Sequence, residues 1–213
     1  MSKEKLIELR KSAKLKEKTG LIEAYTANKQ YCMCVHAKPL PEDVVNCLDT
    51  HFELLKIIHR ISSEPSFEDR QAAARDLTAE KRSEIRKLYN ELDTLFTDSG
   101  NKIWRKAVER IWAFGPKGSF TNILFNNIPG YNRSNVWFGL LGDNEPRSEE
   151  ISVREFDNSL VSGFQLATHS GPMCEEPMRG VSFLLTDWKV VGKAHFMYDL
   201  FIPLKNFFVY EKI

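Results

Sequence analysis

The sequence has little cysteine and almost no net charge. Only 4 of its 213 residues are cysteine, which is too few for the disulfide framework of a small secreted domain. The 30 basic residues nearly balance the 29 acidic ones, and the net charge is +1. This balance predicts no global attraction to nucleic acid, so any contact with RNA has to come from a local patch. No contact with DNA is expected.

Long apolar runs are also missing. A membrane-spanning helix needs about 18 or more consecutive apolar residues, and the nearest approach, residues 196–210, is interrupted by Asp199 and Lys205. Three of the first five residues are charged, and the start of the chain does not have the pattern of a secretion signal. A cytoplasmic location without membrane contact is therefore expected.

The chain lacks a phosphate-binding loop. Such a loop has the pattern G-x-x-x-x-G-K-[ST] after a strand, because backbone amides and the lysine hold the phosphates. Residues 115–119 contain glycine, lysine and serine in a different arrangement, and Lys193 is followed by Ala194, which has no hydroxyl for magnesium. The sequence therefore predicts no nucleotide site and no cofactor in this chain.

The sequence contains enough apolar residues for a core, since they make up 42% of the chain. Strict alternation predicts strands at residues 30–38 and 180–188. Two short apolar runs bounded by turn residues predict further strands at residues 111–114 and 122–125. A few strands among helices, without a regular strand-helix-strand rhythm, favour an α+β domain.

Helical spacing follows the first long strand. It predicts a helix through Val44 and Ile58, and the charged stretch at residues 67–96 predicts one long helix or two shorter ones. Asn158 is the expected N-cap of a helix that ends at Gly171.

These elements give an expected domain organisation. Residues 1–25 are expected to be a charged leader, either a polar helix or frayed, and residues 26–188 the α+β domain. The domain is expected to contain a helical insertion at about 62–100 and a loop insertion at about 127–156. Residues 189–213 are expected to be a divergent and truncated tail.

Few side chains are candidates for catalysis, metal binding or contact with RNA. Cys32, Cys34 and His36 share one face of the first predicted long strand, which leaves a small metal protein as an alternative, although the second ligand pair of a structural zinc site is missing. Packing of the two cysteines against a helix is the simpler interpretation. No catalytic residue and no metal ligand is therefore assigned. Arg105, Lys106 and Arg110 are weak candidates for contact with RNA phosphates.

Three stretches resemble a known family. Residues 158–168 read NSLVSGFQLAT and residues 174–181 read CEEPMRGV, and both are similar to domain IV of GTPases of the elongation factor 2 type. Residues 111–116 (IWAFGP) with 122–124 (NIL), and residues 31–44, resemble the family's strand pair and its opening strand and helix. The segments at 170–174 and 135–137 are more similar to the elongation factor-like branch that acts in ribosome assembly.

The resemblance implies a sheet like that of the second domain of ribosomal protein S5, with helices packed on one face. It implies that the chain is the ribosome-contacting piece of a GTPase of ribosome biogenesis, without the GTP-binding domain. The parent protein would use GTP and magnesium to release the anti-association factor from the nascent large subunit, together with the Shwachman-Diamond protein. Its partners would be ribosomal RNA and proteins of the large subunit.

Two departures and one alternative accompany the resemblance. The family's Gly-Pro before Asn122 is replaced here by Phe120 and Thr121, so this turn has to be built differently. After Trp188 the family pattern is lost, and His195 is not in the context of the family's functional histidine. A fragment of the translocase itself is the alternative identity, and the insertion at 127–156 argues against it.

Overall fold

A mixed sheet of six strands organises the chain. The computed structural model describes residues 13–16, 20–25, 31–64, 66–131, 135–141, 151–171 and 176–190. The strand order is β1-β2-β3-β6-β5-β4, and every neighbouring pair is antiparallel except the parallel pair β5 and β6. The strands are β1 (Ala13–Lys16), β2 (Leu21–Tyr25), β3 (Tyr31–Pro39), β4 (Ile111–Gly115), β5 (Asn122–Asn126) and β6 (Val181–Val190).

Five α-helices and two short 3₁₀ turns complete the described part of the chain. The helices are α1 (Glu42–Thr50), α2 (Phe52–Ser62), α3 (Phe67–Arg75), α4 (Ala79–Asp98) and α5 (Ile151–His169), and the 3₁₀ turns are Lys102–Trp104 and Val108–Arg110. A search of the described residues finds no helix with the length and apolar character needed to cross a membrane. The predicted α+β class is confirmed.

The predicted alternation of β3 and β6 is confirmed. Met33, Val35 and Ala37 of β3 lie in the same buried cluster as Phe183 and Leu185 of β6. Because side chains point alternately to the two faces of a strand, the intervening residues lie on the opposite face. The register changes once between Cys34 and Val35, where β6 carries one extra residue.

The two faces of the sheet are covered by different helices. Helix α5 covers one face, where the ring of Phe164 packs 5.7 Å from that of Phe183. A Cβ at Gly115 would lie 2.7 Å from Phe164, so glycine is required for this close approach. Helices α1, α2 and α4 cover the opposite face and share a larger core with β4 and β5.

Two expected boundaries differ in the structure. Helix α5 begins at Ile151 and not at Asn158, because Val153 and Phe156 continue the three- and four-residue spacing of Leu160 and Phe164. Residues 13–16 form a strand and not a helix, since they pair with β2. Pairing with the neighbouring strand outweighs local helix preference here, and β1 and β2 both join the sheet before residue 26, where the domain was expected to begin.

The predicted helix through residues 44–58 is divided in two. Helix α1 ends at Thr50 and α2 begins at Phe52, with His51 between them at φ −98° and ψ 25°. The backbone amide of His51 still donates to the Cys47 carbonyl at 3.1 Å. The chain therefore bends at a single residue and continues as a helix.

Part of the expected loop insertion is folded against the core. The indole Nε1 of Trp137 donates to the Val108 carbonyl at 3.0 Å, and its ring packs edge-on against Tyr89 and Phe114 at 5.4 and 5.7 Å. The amide of Val136 donates to the outward-facing Ile111 carbonyl of β4 at 2.9 Å. Helix α5 supplies a second donor to this edge, from Gln165 to the Phe114 carbonyl at 2.6 Å.

The turn between β4 and β5 is built around Phe120. Phe120 has a φ of 58°, and this left-handed backbone costs a residue with a side chain about 1–2 kcal/mol. Its buried ring packs 5.7 Å from Phe52 and 5.3 Å from His59. Burial of a phenylalanine side chain stabilises by about 1.5–3 kcal/mol, which offsets the cost. The turn that contains Phe120 and Thr121 is thus stabilised by the burial of the Phe120 ring.

A buried asparagine joins this turn to the connection before β6. The side-chain amide of Asn122 donates to the carbonyls of Gly115 at 3.1 Å and Met178 at 2.7 Å. Its oxygen accepts the amide of Val181 at 2.9 Å. Asn122 is completely buried, so these hydrogen bonds satisfy polar groups that water does not reach.

Replacing Asn122 with alanine is expected to destabilise the full-length chain by about 3 kcal/mol or more, because each of its three buried partners loses a hydrogen bond at about 1–3 kcal/mol. Urea-induced unfolding followed by tryptophan fluorescence measures this change. The control is Asn46→Ala at an exposed position of α1, for which a change within about 0.5 kcal/mol is expected. Equal stability of the two variants would contradict the role assigned to Asn122.

Candidate functional site

The three predicted RNA-contact residues lie in one compact segment before β4. Two 3₁₀ turns, Lys102–Trp104 and Val108–Arg110, enclose Arg105 and Lys106. Asn101 caps the first turn by accepting the Ile103 amide at 3.1 Å. Trp104 packs on Phe96 and Phe125 at 5.4 and 5.8 Å, so the segment is anchored to the core.

Arg110 fixes the shape of this segment. Its Nη2 donates to the carbonyls of Ile103 at 2.8 Å and Arg105 at 3.0 Å. Its Nε donates to the Lys106 carbonyl at 3.3 Å, and its Nη1 donates to Asn127. Partial burial lowers the pKa of this guanidinium below its ordinary value. All of these contacts of Arg110 lie within the protein. The sequence alone did not distinguish this structural role from the RNA contact that was predicted for Arg110 together with Arg105 and Lys106.

Arg105 and Lys106 present their side chains to solvent. Both are exposed, and the ammonium of Lys106 lies 3.6 Å from the Glu109 carboxylate in a pair that is itself exposed. An exposed ion pair of this kind contributes little to stability and exchanges readily with other partners. Lys106 also has a φ of 54°, so the rigid loop holds its backbone in the left-handed region. The structure brings two available cations together on an ordered loop.

The turn after β4 contains the residue types of a phosphate-binding loop but has a different geometry. In the turn after β4, the amides of Ser119 and Phe120 both donate to the Pro116 carbonyl, at 3.1 and 3.0 Å. Amides used in this way are not free to surround a phosphate. The residues of this turn therefore do not fit GTP, and no step of GTP chemistry is assigned to them. Gly192 and Lys193 lie outside the described residues.

The side chains of the alternative metal site on β3 do not converge on one point. Cys32 and Cys34 are buried on one face of β3 as predicted, and burial raises the pKa of both thiols, that of Cys34 to about 11. The Nδ1 of His36 donates to the Gly20 carbonyl at 3.1 Å. These three side chains do not form a group of converging ligand atoms. Both thiols are buried, and their packing against a helix stays a prediction.

Another set of possible metal ligands does converge in the described part of the chain. Cys47, His51 and Glu91 each place one ligand atom within 4.8 Å of the other two. The Cys47 and His51 spacing of four residues in a helical segment is a signal that the sequence contains. Glu91 comes from α4, forty positions further along, and no local pattern connects it to the other two.

A small pocket lies between α2, α3 and α5. Its volume is about 210 Å³, and its polar lining includes Ser62, Asn135, Asn158 and Ser162. Pockets for cofactors and substrates usually measure about 300–1,000 Å³. This pocket is therefore smaller than a nucleotide site.

Part of the chain matches a known family. The family model described as the elongation factor-like GTPase 1-like domain matches residues 36–127. This range contains the end of β3, all of β4 and β5, helices α1 to α4, and the segment at residues 101–110 that carries Arg105 and Lys106, called the basic loop below. The chain is a relative of the elongation factor-like GTPases. The resemblance seen in the sequence is confirmed.

Individual relatives agree with the family model. Elongation factor-like GTPase 1 of Mus musculus is 40% identical over 172 residues, which are 80% of this chain and 14% of the mouse protein. The human protein of the same name is 38% identical over 170 residues, 79% of this chain and 14% of the human protein. Ribosome assembly protein 1 of Schizosaccharomyces pombe is 29% identical over 150 residues, 67% of this chain and 14% of the yeast protein. The chain thus spans about one seventh of these relatives.

Replacing Arg110 with methionine is expected to destabilise the full-length chain by about 2–3 kcal/mol, because four acceptors lose a charged donor. Arg110→Lys is expected to recover only part of this loss, since an ammonium cannot reproduce the planar fork of the guanidinium. The free energy of unfolding from urea titration measures both changes. Arg105→Met is the control and is expected to change stability by less than about 0.5 kcal/mol. An Arg110→Met variant as stable as this control would show that Arg110 does not fix the loop.

Proposed function

We propose that this chain is the ribosome-contacting part of a GTPase of large ribosomal subunit maturation. The observation that carries the proposal is the match over 80% of the chain to elongation factor-like GTPase 1. The name of the Schizosaccharomyces pombe relative, ribosome assembly protein 1, points to the same process. The parent protein would work in the cytoplasm and would bind GTP and magnesium through a domain outside these residues.

In this proposal the parent protein uses GTP to release the anti-association factor from the large subunit, in cooperation with the Shwachman-Diamond protein. The part played by the present chain is recognition of ribosomal RNA and protein, and not bond chemistry. The sequence segments at 135–137 and 170–174, which are more similar to the assembly branch than to the translocase, support the assembly branch. Trp137 of the first segment packs against β4 and α4.

Arg105 and Lys106 are the proposed phosphate contacts. They are exposed neighbours on a loop whose backbone is held by Arg110. A loop that is already ordered loses little conformational entropy when it binds. Each cation that neutralises a phosphate also releases a counterion, so binding through these residues becomes weaker as the salt concentration rises.

The double variant Arg105→Ala/Lys106→Ala is expected to bind purified large ribosomal subunits about tenfold or more weakly in a sedimentation assay. The slope of log K against log salt is expected to fall by about 2, one for each lost phosphate contact. The matched control is Lys56→Ala/Lys87→Ala, which removes two exposed cations from α2 and α4 and is expected to leave binding unchanged. Unchanged binding by the Arg105/Lys106 variant would remove these residues from the interface, and failure of the unaltered chain to bind would reject the proposed function.

The chain alone is expected to show no GTP hydrolysis and no stoichiometric GTP binding, because its sequence has no phosphate-binding loop and the amides of Ser119 and Phe120 donate to the Pro116 carbonyl. Equilibrium dialysis with GTP and magnesium measures binding directly, and phosphate release measures hydrolysis. A full-length relative containing its GTP-binding domain provides the positive control. One equivalent of GTP bound to this chain would contradict its assignment as a part without the nucleotide site.

A further inference from the structure

The group formed by Cys47, His51 and Glu91 has the composition of a transition-metal site. A thiol, an imidazole and a carboxylate are the three ligand types that zinc takes in proteins. Cys47 and His51 lie at the end of α1, where the helix bends toward α2, and Glu91 approaches from the middle of α4. The site therefore joins two elements that pack against each other in the core of the helical layer.

The distances suit coordination of one ion. The Nε2 of His51 lies 3.7 Å from Oε2 of Glu91, and one ligand atom from each of Cys47, His51 and Glu91 lies within 4.8 Å of the other two. With metal-ligand bonds of about 2.0–2.3 Å, neighbouring ligand atoms of a tetrahedral site stand roughly 3.3–3.8 Å apart. The His51 and Glu91 atoms already have this separation, and rotation of the Cys47 side chain would bring Sγ to the same ion.

The imidazole is oriented for metal binding. Its Nδ1 lies 3.0 Å from the Cys47 carbonyl oxygen, which only accepts hydrogen bonds, so Nδ1 carries the proton. The lone pair then lies on Nε2, which faces Glu91. A metal-bound histidine usually donates its other N–H to a backbone carbonyl or a carboxylate in this way. The bend at His51 between α1 and α2 is what permits this orientation.

The same geometry argues against a nucleophilic triad. A general base must accept the thiol proton, but the ring nitrogen nearest Cys47 already carries a proton. Burial, followed by the neighbouring carboxylate of Glu91, raises the pKa of Cys47 to about 12, so the thiol does not ionise by itself at neutral pH. A divalent cation would balance both the thiolate and the carboxylate.

We propose that Cys47, His51 and Glu91 bind one Zn²⁺ ion through Sγ, Nε2 and a carboxylate oxygen. Binding forms the zinc-sulfur bond and releases the thiol proton to solvent. The fourth position is open to water, since the side chains of His51 and Glu91 are 30% and 49% exposed. An ion at this place would clamp α1 to α4 and would stabilise the helical layer that carries the basic loop.

Titration of the full-length chain with Co²⁺, which takes tetrahedral zinc sites and absorbs visible light, tests the proposal. We expect one equivalent of Co²⁺ to give visible tetrahedral bands and a thiolate charge-transfer band, and Zn²⁺ to displace it. Zinc at a hundredfold excess over its Kd is expected to raise the Tm by about 5–10 °C. A chain without these bands and without a zinc-dependent change in Tm would overturn the proposal.

Variants identify the ligands. Cys47→Ser is expected to abolish the charge-transfer band, and His51→Gln and Glu91→Gln are each expected to weaken Co²⁺ binding about tenfold or more. Because Glu91 is half exposed, Glu91→Gln is expected to fold even if substitution of the buried Cys47 does not. Glu53→Gln, at an exposed position of α2, is the matched control and is expected to bind Co²⁺ normally.

A second control concerns the remaining cysteines. The variant with Cys32, Cys34 and Cys174 all changed to serine is expected to keep the cobalt spectrum, with circular dichroism confirming that it is folded. Loss of the spectrum in this folded variant, or its persistence in Cys47→Ser, would place the metal elsewhere and overturn the assignment.

Discussion

The buried side chain of Asn122 holds the central part of the fold together. It binds the end of β4, the connection after α5 and the first residue of β6 at the same time. The parallel pairing of β5 with β6 depends on the position of this connection. In this arrangement Phe164 of α5 packs closely against Gly115, and each face of the sheet has its own core.

The two covered faces of the sheet have separate cores. Helix α5 and the strands form one core, while α1, α2 and α4 form the other together with the base of the basic loop. Arg105 and Lys106 therefore stand on a segment supported by Trp104 and Arg110 and not on a free loop. The proposed metal ligands on α1 and α4 belong to the same layer, so an ion bound there would stabilise the helices that support the basic loop.

The sequence predicts the elements whose burial repeats regularly. The alternation in β3 and β6 and the helical spacing after Leu40 identify their faces correctly, and the family motifs identify the relatives. The strand at residues 13–16 was predicted differently, because its placement depends on pairing with β2. The start of α5 was predicted at Asn158, although the apolar spacing in the sequence continues back to Val153. Of the candidate site, the sequence indicates the three basic residues but not the internal role of Arg110. It contains the Cys47 and His51 spacing, but only the folded structure brings Glu91 to them.

The outer edge of the sheet has a consequence for how molecules of this chain behave together. Among the described residues, no strand lies beyond β4 in the order of the sheet, yet its carbonyls at Ile111 and Phe114 accept hydrogen bonds from Val136 and Gln165. An uncovered edge invites pairing with an edge of another copy, which is the first step toward fibrous aggregates. Val136, in the expected loop insertion, and Gln165 of α5 therefore occupy two of the carbonyls through which this strand could pair with a second molecule.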